Sequence, residues 1–492
     1  MNKDKKLYQQ ILKVTFLLGS VQFFNIILSI IKSKITALLI GVAGFGVFGL
    51  LSTTLNLISG FSKLGIDVSA VKEIAVANNE LKKDRLSNLI NTTIHLSWVL
   101  GVLGALICLV LSNWLSFITF GNDNYTSYFI VISLAVLFNQ LLSANLAILQ
   151  GLKYIKKLAA VTLFSSLFSL IPTVIIYYTI GEKGIPWVIL ITSIIGFLIS
   201  KFFIKKVKIK KTRFFFNQLF KDGRTMILLG IIISIANLYE ILVGYLIQIY
   251  IANFRNVTEV GLYSAGFTVL NSYVVVFLYV LSKDYFPRIS EVSNDNIAIK
   301  KMLNSQVAIA ILLLTPLVVL FMVFNPIIIK ILYTKEFMPI QGMITYGVMS
   351  ILFKVISWSL GFIILAKGNS KLYLSSELIS NSLLFVFVVF GYKFFGLTGV
   401  GIGYSLYHII DLVIINFIIF KKYKIHFHLN VKLLFYICLG QCLIMLFLIQ
   451  IENSLLKYIL MSIGILFSLI ISIKKINNFI SFKEIINNKL KF

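Results

Sequence analysis

The chain has 492 residues, of which 59% are apolar and only 13% are charged, and its mean hydropathy is +0.95. A soluble domain averages about 45–50% apolar and about 25% charged residues, so this composition excludes a water-soluble fold. The 45 Lys and Arg residues outnumber the 18 Asp and Glu residues, which gives a net charge of +27. The lysines are scattered between apolar runs and form no basic domain, so we expect no nucleic-acid partner. The composition therefore predicts a polytopic membrane protein.

Fourteen apolar runs are long enough to cross a bilayer, because a helix needs about 20 apolar residues to span the hydrocarbon core. The runs are unbroken, which favours helices over the alternating strands of a membrane barrel. The predicted fold is therefore all-α, with about 14 transmembrane helices. The predicted spans cover approximately residues 9–35, 40–62, 87–113, 126–150, 158–180, 185–204, 226–251, 260–282, 303–324, 341–366, 372–392, 396–420, 432–450 and 454–473.

The distribution of basic residues predicts the orientation of these spans. If the N-terminus is cytoplasmic, the inner segments hold 35 of the 45 Lys and Arg residues and the outer loops hold 6. Cytoplasmic loops carry an excess of Lys and Arg, so both termini are predicted to be cytoplasmic. The basic stretch 201–224 is either an inner loop that obeys this rule or a surface that binds anionic lipids at the cytoplasmic face.

Several short sequence matches indicate an internal repeat. In each match the two segments are separated in the chain by the same number of residues as Gly46 and Gly261. We call this separation the repeat offset. Gly46-Val-Phe48, followed by Thr53 and Leu55-Asn56, matches Gly261-Leu-Tyr263, followed by Thr268 and Leu270-Asn271. Six helices per half is an even number, which predicts parallel repeats with a substrate site between them. The predicted organisation is an N-terminal lobe at 1–204, a basic linker at 205–225, a C-terminal lobe at 226–422, and two additional helices with a basic tail at 423–492.

Basic side chains inside the predicted spans are candidates for an anion site. An ionisable group at the centre of a bilayer costs about 2.5–3.5 kcal/mol on the insertion scale, so it normally faces a cavity or a partner. Lys34 and Lys354 are expected to line a central cavity and to attract an anionic substrate such as a phosphate, with Lys32 as a third candidate. Lys32 and Lys34 point to nearly opposite helix faces, so only one faces the cavity directly. The alternative for these lysines is snorkelling toward the surface.

Acidic residues and one histidine in the spans are candidates for ion coupling. Glu240 and Asp411 could carry a proton or a sodium ion, and His408 lies three residues before Asp411 on the same helix face. The alternative is a structural ion pair, for example between Glu240 and a cavity lysine. The sequence has no enzyme signature and no Cys/His cluster for a metal. We therefore expect a transporter without a cofactor.

Several short motifs resemble those of the Wzx-type O-antigen and polysaccharide repeat-unit flippases, within the multidrug/oligosaccharidyl-lipid/polysaccharide superfamily. The first is the Lys34 to Gly49 stretch, in which a lysine precedes the small-residue turn Gly41-Val-Ala-Gly44-Phe-Gly46. The similarity is loose and runs over most of residues 8–380. The other similar segments are Leu352-Phe-Lys354-Val with Gly361 and Ala366-Lys367, Leu332-Tyr-Thr-Lys-Glu-Phe337, and Tyr285-Phe-Pro287-Arg-Ile-Ser290.

The resemblance implies a V-shaped bundle of two six-helix lobes that alternates between inward and outward openings in a bacterial cytoplasmic membrane. The implied cargo is an oligosaccharide on undecaprenyl diphosphate, used for O-antigen, lipopolysaccharide or another surface polysaccharide, with polymerase machinery as a further partner. Many members have twelve spans, whereas fourteen is also typical of the related lipid II flippases. A lipid II flippase, a cation-coupled drug exporter and a membrane-embedded polysaccharide polymerase therefore remain alternatives.

Overall fold

The computed structural model describes residues 2–79, 83–205, 216–273, 285–286, 288–451 and 454–479, which form helices and turns without a strand. Its helices are α1 (Asn2–Lys63), α2 (Ile66–Asn79), α3 (Lys83–Val110), α4 (Ser112–Phe120), α5 (Thr126–Gly151), α6 (Ile155–Ile180), α7 (Ile185–Lys205), α8 (Phe216–Phe254), α9 (Val257–Thr268), α10 (Asn296–Leu332), α11 (Gln341–Gly347), α12 (Ser350–Ala366), α13 (Ser370–Tyr423), α14 (Leu429–Ile449) and α15 (Ser454–Phe479).

The helices confirm an all-α polytopic membrane protein. Within the described ranges, eight helical stretches are long and apolar enough to cross a membrane, or nine if two segments bent by 52°, Lys335–Gly347 and Ser350–Ala366, form one span. Three of the eight cover two predicted spans each, and they are Gln22–Lys63, Ile155–Lys205 and Ser370–Tyr423. The total of fourteen spans stays a prediction.

Glycines with positive φ divide each of these three long stretches. Gly41 has φ 64° and ψ −166°, Gly181 has φ 57°, and Gly396 has φ 56° and ψ −142°. Residues with a Cβ rarely adopt this backbone region, whereas glycine enters it without a steric penalty. The chain can therefore reverse direction within one or a few residues, which explains why two predicted spans follow each other without a loop.

Matching turns support the predicted repeat. Gly181 and Gly396 are separated by the repeat offset and have nearly the same backbone angles. Lys153 and Gly368, separated by the same offset, both have positive φ and follow α5 and α12, respectively. The N–H of Lys153 donates to the carbonyl of Gln150, and that of Gly368 donates to Leu365, each at 2.9 Å. Equivalent helix ends are thus closed by the same hydrogen bond.

The second predicted span of each half contacts the other through equivalent glycines. A Cβ placed on Gly46 would lie 2.0 Å from the Val257 carbonyl oxygen, and a Cβ on Gly261 would lie 2.1 Å from the Val42 carbonyl oxygen. Val42 and Val257 are also separated by the repeat offset. Two backbones approach this closely only where both lack a side chain, which is a common contact between membrane helices. The reciprocal geometry is that expected of two related helices.

The chain forms two compact units. The first unit comprises Met1–Ser264 and Leu332–Glu336, so it includes α8 and the part of α9 up to Ser264, both from the predicted second half. The second unit comprises Ala265–Ile331 and Phe337–Phe492. The predicted lobe boundaries stay a prediction. Residues 206–215 of the predicted basic linker, residues 274–284 of the eighth span and residues 480–492 of the basic tail lie outside the described residues.

Candidate functional site

Lys34 lies in the first unit on α1, before the break at Gly41. Its ammonium donates a hydrogen bond to the main-chain carbonyl of Tyr333. Tyr333 is fully buried, and its ring meets that of Phe45 edge-on at 5.7 Å. A carbonyl at the end of a helix has no partner within that helix and carries partial negative charge, so a cation is favoured there. Lys34 therefore has a structural contact in addition to any role in substrate binding.

Lys354 lies at the centre of a polar group in the second unit. Its ammonium donates to Asn271 Oδ1 at 2.9 Å and to the Tyr404 hydroxyl at 3.1 Å. The Tyr404 hydroxyl itself donates to Asn271 Oδ1 at 2.8 Å, which closes a three-membered network. Asn271 belongs to a π-helical turn, Val269–Tyr273, that continues α9. Both hydrogen-bond acceptors of the ammonium are neutral, so they orient the cation without neutralising it.

His408 and Asp411 are buried on α13 in the same unit, with only 4% and 5% of their surfaces exposed. Ser380 Oγ donates a hydrogen bond to Asp411 Oδ1. The His408 ring packs edge-on against Tyr404, with centroids 4.7 Å apart. Neither ring nitrogen of His408 has a hydrogen-bond partner among the described residues. Tyr404 thus links the Lys354 network to His408, one turn from Asp411.

Lys354, His408 and Asp411, the three predicted site residues of the second unit, are therefore close together. The other three predicted site residues lie in the first unit. Lys32 is half-buried on α1 in the first unit. Glu240 is exposed on α8, also in the first unit. The roles predicted for all six residues stay predictions.

Three residues of this group were not predicted from the sequence. Asn271 was noted only as part of the repeat motif, and Tyr404 and Ser380 are common residue types that carry no charge. One available signal was the spacing of Tyr404 and His408, because residues four positions apart lie on the same face of a helix. In the described part of the chain, no group of three or more His, Cys, Asp or Glu side chains is arranged to hold a metal ion.

A family model described as polysaccharide biosynthesis protein matches residues 35–342, which is more than half of the chain. A comparison with curated proteins found no match.

Solved structures of membrane transporters share the fold. A lipid II flippase, MurJ, in an inward closed conformation has a TM-score of 0.69 at 15% identity, covering 94% of this chain and 99% of its own. An inward-facing multidrug resistance MATE family transporter of the MOP superfamily has a TM-score of 0.67 at 13% identity, covering 86% and 98%. The Vibrio cholerae MATE transporter VcmN in the bent form has a TM-score of 0.56 at 15% identity, covering 88% and 98%. At these identities the similarity shows the fold.

Proposed function

Because the chain belongs to the family of polysaccharide biosynthesis proteins, we propose that it is a flippase for a lipid-linked oligosaccharide. The cargo is an oligosaccharide repeat unit on undecaprenyl diphosphate, used for O-antigen or another surface polysaccharide. The chain moves it by alternating access across the bacterial cytoplasmic membrane, with both termini in the cytoplasm. The fold shared with membrane transporters supports this proposal, because a transporter in polysaccharide synthesis has to move a precursor.

The observation that carries the proposal is the ammonium of Lys354. Its hydrogen-bond acceptors, Asn271 and Tyr404, are neutral. The nearby Asp411 carboxyl interacts with it electrostatically and offsets its positive charge only in part, so the ammonium can attract an anion. A lysine is a compact point charge that suits a phosphate. An exporter of cationic drugs would favour an acidic site instead. We assign Lys354 to the diphosphate of the cargo, with Lys34 and Lys32 as further cations.

Ion coupling is assigned to the second unit within this proposal. Asp411 and His408 are buried near Lys354, and a change in their protonation would alter the electrostatic potential at the ammonium. The unpartnered ring nitrogens of His408 support this role, because a buried polar group without a partner is costly and is usually retained for a reason. Glu240 remains a candidate in the first unit.

The test is complementation of a bacterial strain that lacks the gene. Wild type, Lys354→Met and Lys354→Arg are compared for surface polymer on a gel and for the membrane leaflet that contains the lipid-linked precursor. We expect Lys354→Met to lower surface polymer by about tenfold or more, the loss expected for removing one charge-assisted contact, while Lys354→Arg retains part of it. Lys393→Met is the matched control, because Lys393 is exposed on α13.

Each alternative predicts a different result in this experiment. If the precursor reaches the outer leaflet in the strain that lacks the chain, the proposal is contradicted. If that outer-leaflet precursor is not converted into polymer, the chain is a polymerase. Inner-leaflet accumulation of lipid II would indicate a lipid II flippase. Normal polymer with increased sensitivity to cationic drugs would indicate an exporter. Co-purification with the polymerase machinery tests the remaining expected partner.

A further inference from the structure

The second unit contains a groove that the proposed transport does not use. It has a volume of about 240 Å³ and is lined by residues of α10, α12, α13 and α14 and of the segment that joins α13 to α14. Its apolar lining includes Val307, Ile356 and Leu412, one from each of three helices. Phe427 and Phe435 add aromatic surface. Walls of this composition favour a hydrocarbon chain over water.

Polar groups also line this groove. They are the amide of Asn416, the ammonium of Lys432 and the hydroxyl-bearing ring of Tyr436. Lys432 is exposed, and Tyr436 is 65% exposed. The groove thus combines an apolar lining with a cation and further hydrogen-bond donors. This combination matches an amphipathic ligand with a negatively charged head.

The segment between α13 and α14 is held in place by side chains of α10. The main-chain N–H of His428 donates to Asn304 Oδ1 at 2.8 Å. Lys300 Nζ lies 2.7 Å from His426 Nε2. These contacts lie on both sides of Phe427 in the chain and hold the segment that carries it against α10. The groove is therefore a built feature of the fold.

The surroundings of the groove are rich in cations and in surface that suits a bilayer. Lys421, Lys422 and Lys424 are exposed at the end of α13, a few residues before Phe427. Leu433, beside Lys432 on α14, is 62% exposed, which is typical of a helix that faces lipid. Clusters of Lys near the cytoplasmic end of membrane helices attract anionic lipid head groups, and all of these lysines belong to a predicted inner segment.

We propose that this groove binds an anionic glycerophospholipid of the surrounding bilayer. An acyl chain lies against Val307, Ile356 and Leu412, and the phosphate accepts hydrogen bonds from Lys432 with Asn416 or Tyr436. The positive charge of the site selects an anionic lipid over a zwitterionic one, because a trimethylammonium head group places a second cation beside the lysines. The lipid is a resident ligand of the second unit and is distinct from the cargo.

The experiment is a lipid titration of the purified full chain, followed by native mass spectrometry. Dioleoylphosphatidylglycerol is compared with dioleoylphosphatidylcholine, which has the same acyl chains. For wild type we expect phosphatidylglycerol to bind about tenfold more tightly. Lys432→Ala should remove most of this preference. Lys393→Ala is the matched control, since Lys393 is an exposed lysine of α13 that belongs neither to the groove lining nor to the cation cluster at the end of that helix, and it should retain the preference.

A second variant tests the apolar part of the groove. Leu412→Trp is expected to fill it and to weaken both lipids, with an unchanged thermal unfolding midpoint as evidence of folding. A photoreactive acyl chain on phosphatidylglycerol should label the peptide 427–436. Equal binding of the two lipids by wild type, or equal losses in Lys432→Ala and Lys393→Ala, would overturn the proposal. Displacement of phosphatidylglycerol by much lower concentrations of undecaprenyl phosphate would also overturn it, because the groove would then be a cargo site.

Discussion

The two halves of the chain have the same turns at equivalent positions but differ in the side chains on the helices next to those turns. Asp411, on α13, is the repeat equivalent of Gly196, on α7, because the two residues are separated by the repeat offset. Gly196 is buried, and a Cβ placed on it would lie 2.9 Å from Leu142 Cδ2. Asp411 instead accepts a hydrogen bond from Ser380. The first half therefore has close apolar packing at a position where the second half has a buried carboxyl group.

The other members of the cluster show the same difference. Lys354 corresponds to Asn139, and His408 corresponds to Ser193, whose hydroxyl donates to the carbonyl of Ile189 in its own helix at 2.8 Å. The first half forms the equivalent turns without any of these three ionisable groups. Burial of ionisable groups is costly. This difference between the halves supports the proposed assignment of the cluster to transport.

The largest predicted effect concerns the contact that relates the two halves. Gly46→Ala and Gly261→Ala should each destabilise the protein by about 3 kcal/mol, the upper end of the range for overpacking, because the new Cβ meets a helix carbonyl at about 2 Å. The measurement is the yield of monodisperse protein and its thermal unfolding midpoint. Gly244→Ala is the control, since its Cβ would meet nothing within 4 Å. If only one of the two glycines is sensitive, the reciprocal contact is wrong.

The next effect tests whether the cluster serves function. Asp411→Asn keeps the size of the side chain and removes its charge, so we expect transport to fall by about tenfold, within the range for energetic coupling between sites. The readout is surface polymer at matched protein level. Ser193→Ala, at the position equivalent to His408, should leave transport within about twofold, as is usual away from a functional site. Full transport by Asp411→Asn would contradict the assignment of ion coupling.

A smaller effect is expected at the turns that both halves share. Gly181→Ala and Gly396→Ala should each cost about 1–2 kcal/mol, since an L-residue is strained at positive φ. A Cβ at either position meets nothing within 4 Å, so the cost is conformational and should be similar in both halves. Gly361→Ala, on a regular turn of α12, has equal space and should not lower the unfolding midpoint. Clearly unequal losses of stability in Gly181→Ala and Gly396→Ala would contradict the equivalence of the two turns.

The smallest effect is expected at the turns after α5 and α12. The first half has Lys153 where the second half has Gly368, both at positive φ. Gly368→Lys should destabilise the protein by about 1 kcal/mol, whereas Lys153→Gly should change its stability by less than about 0.5 kcal/mol. Chemical unfolding of both variants beside wild type measures the difference. A Lys153→Gly variant that loses more stability than Gly368→Lys would show that Lys153 has a further contact role.

The sequence predicted much of the fold and part of the site. The repeat offset came from the motifs at Gly46 and Gly261, and the structure adds matching turns at the same offset. Lys354, His408 and Asp411 were recognised because an ionisable residue in an apolar run is visible in one dimension. The sequence placed His408 and Asp411 on one helix face, but the proximity of Lys354 to them was not predicted, because Lys354 and Tyr404 come from different helices 50 residues apart in the chain.

Contacts that depend on distant segments were decided by the tertiary structure alone. The carbonyl of Tyr333 that accepts from Lys34 lies 299 residues further along the chain, and the Asn271 amide that orients Lys354 lies 83 residues before it. The sequence by itself determined the membrane environment, the helical class and the repeat, because these follow from apolar composition and periodicity, which can be read from local segments of the chain. Which neutral oxygens surround each cation depends on how kinked helices pack, since a partner's identity is not encoded in the residues next to the charge.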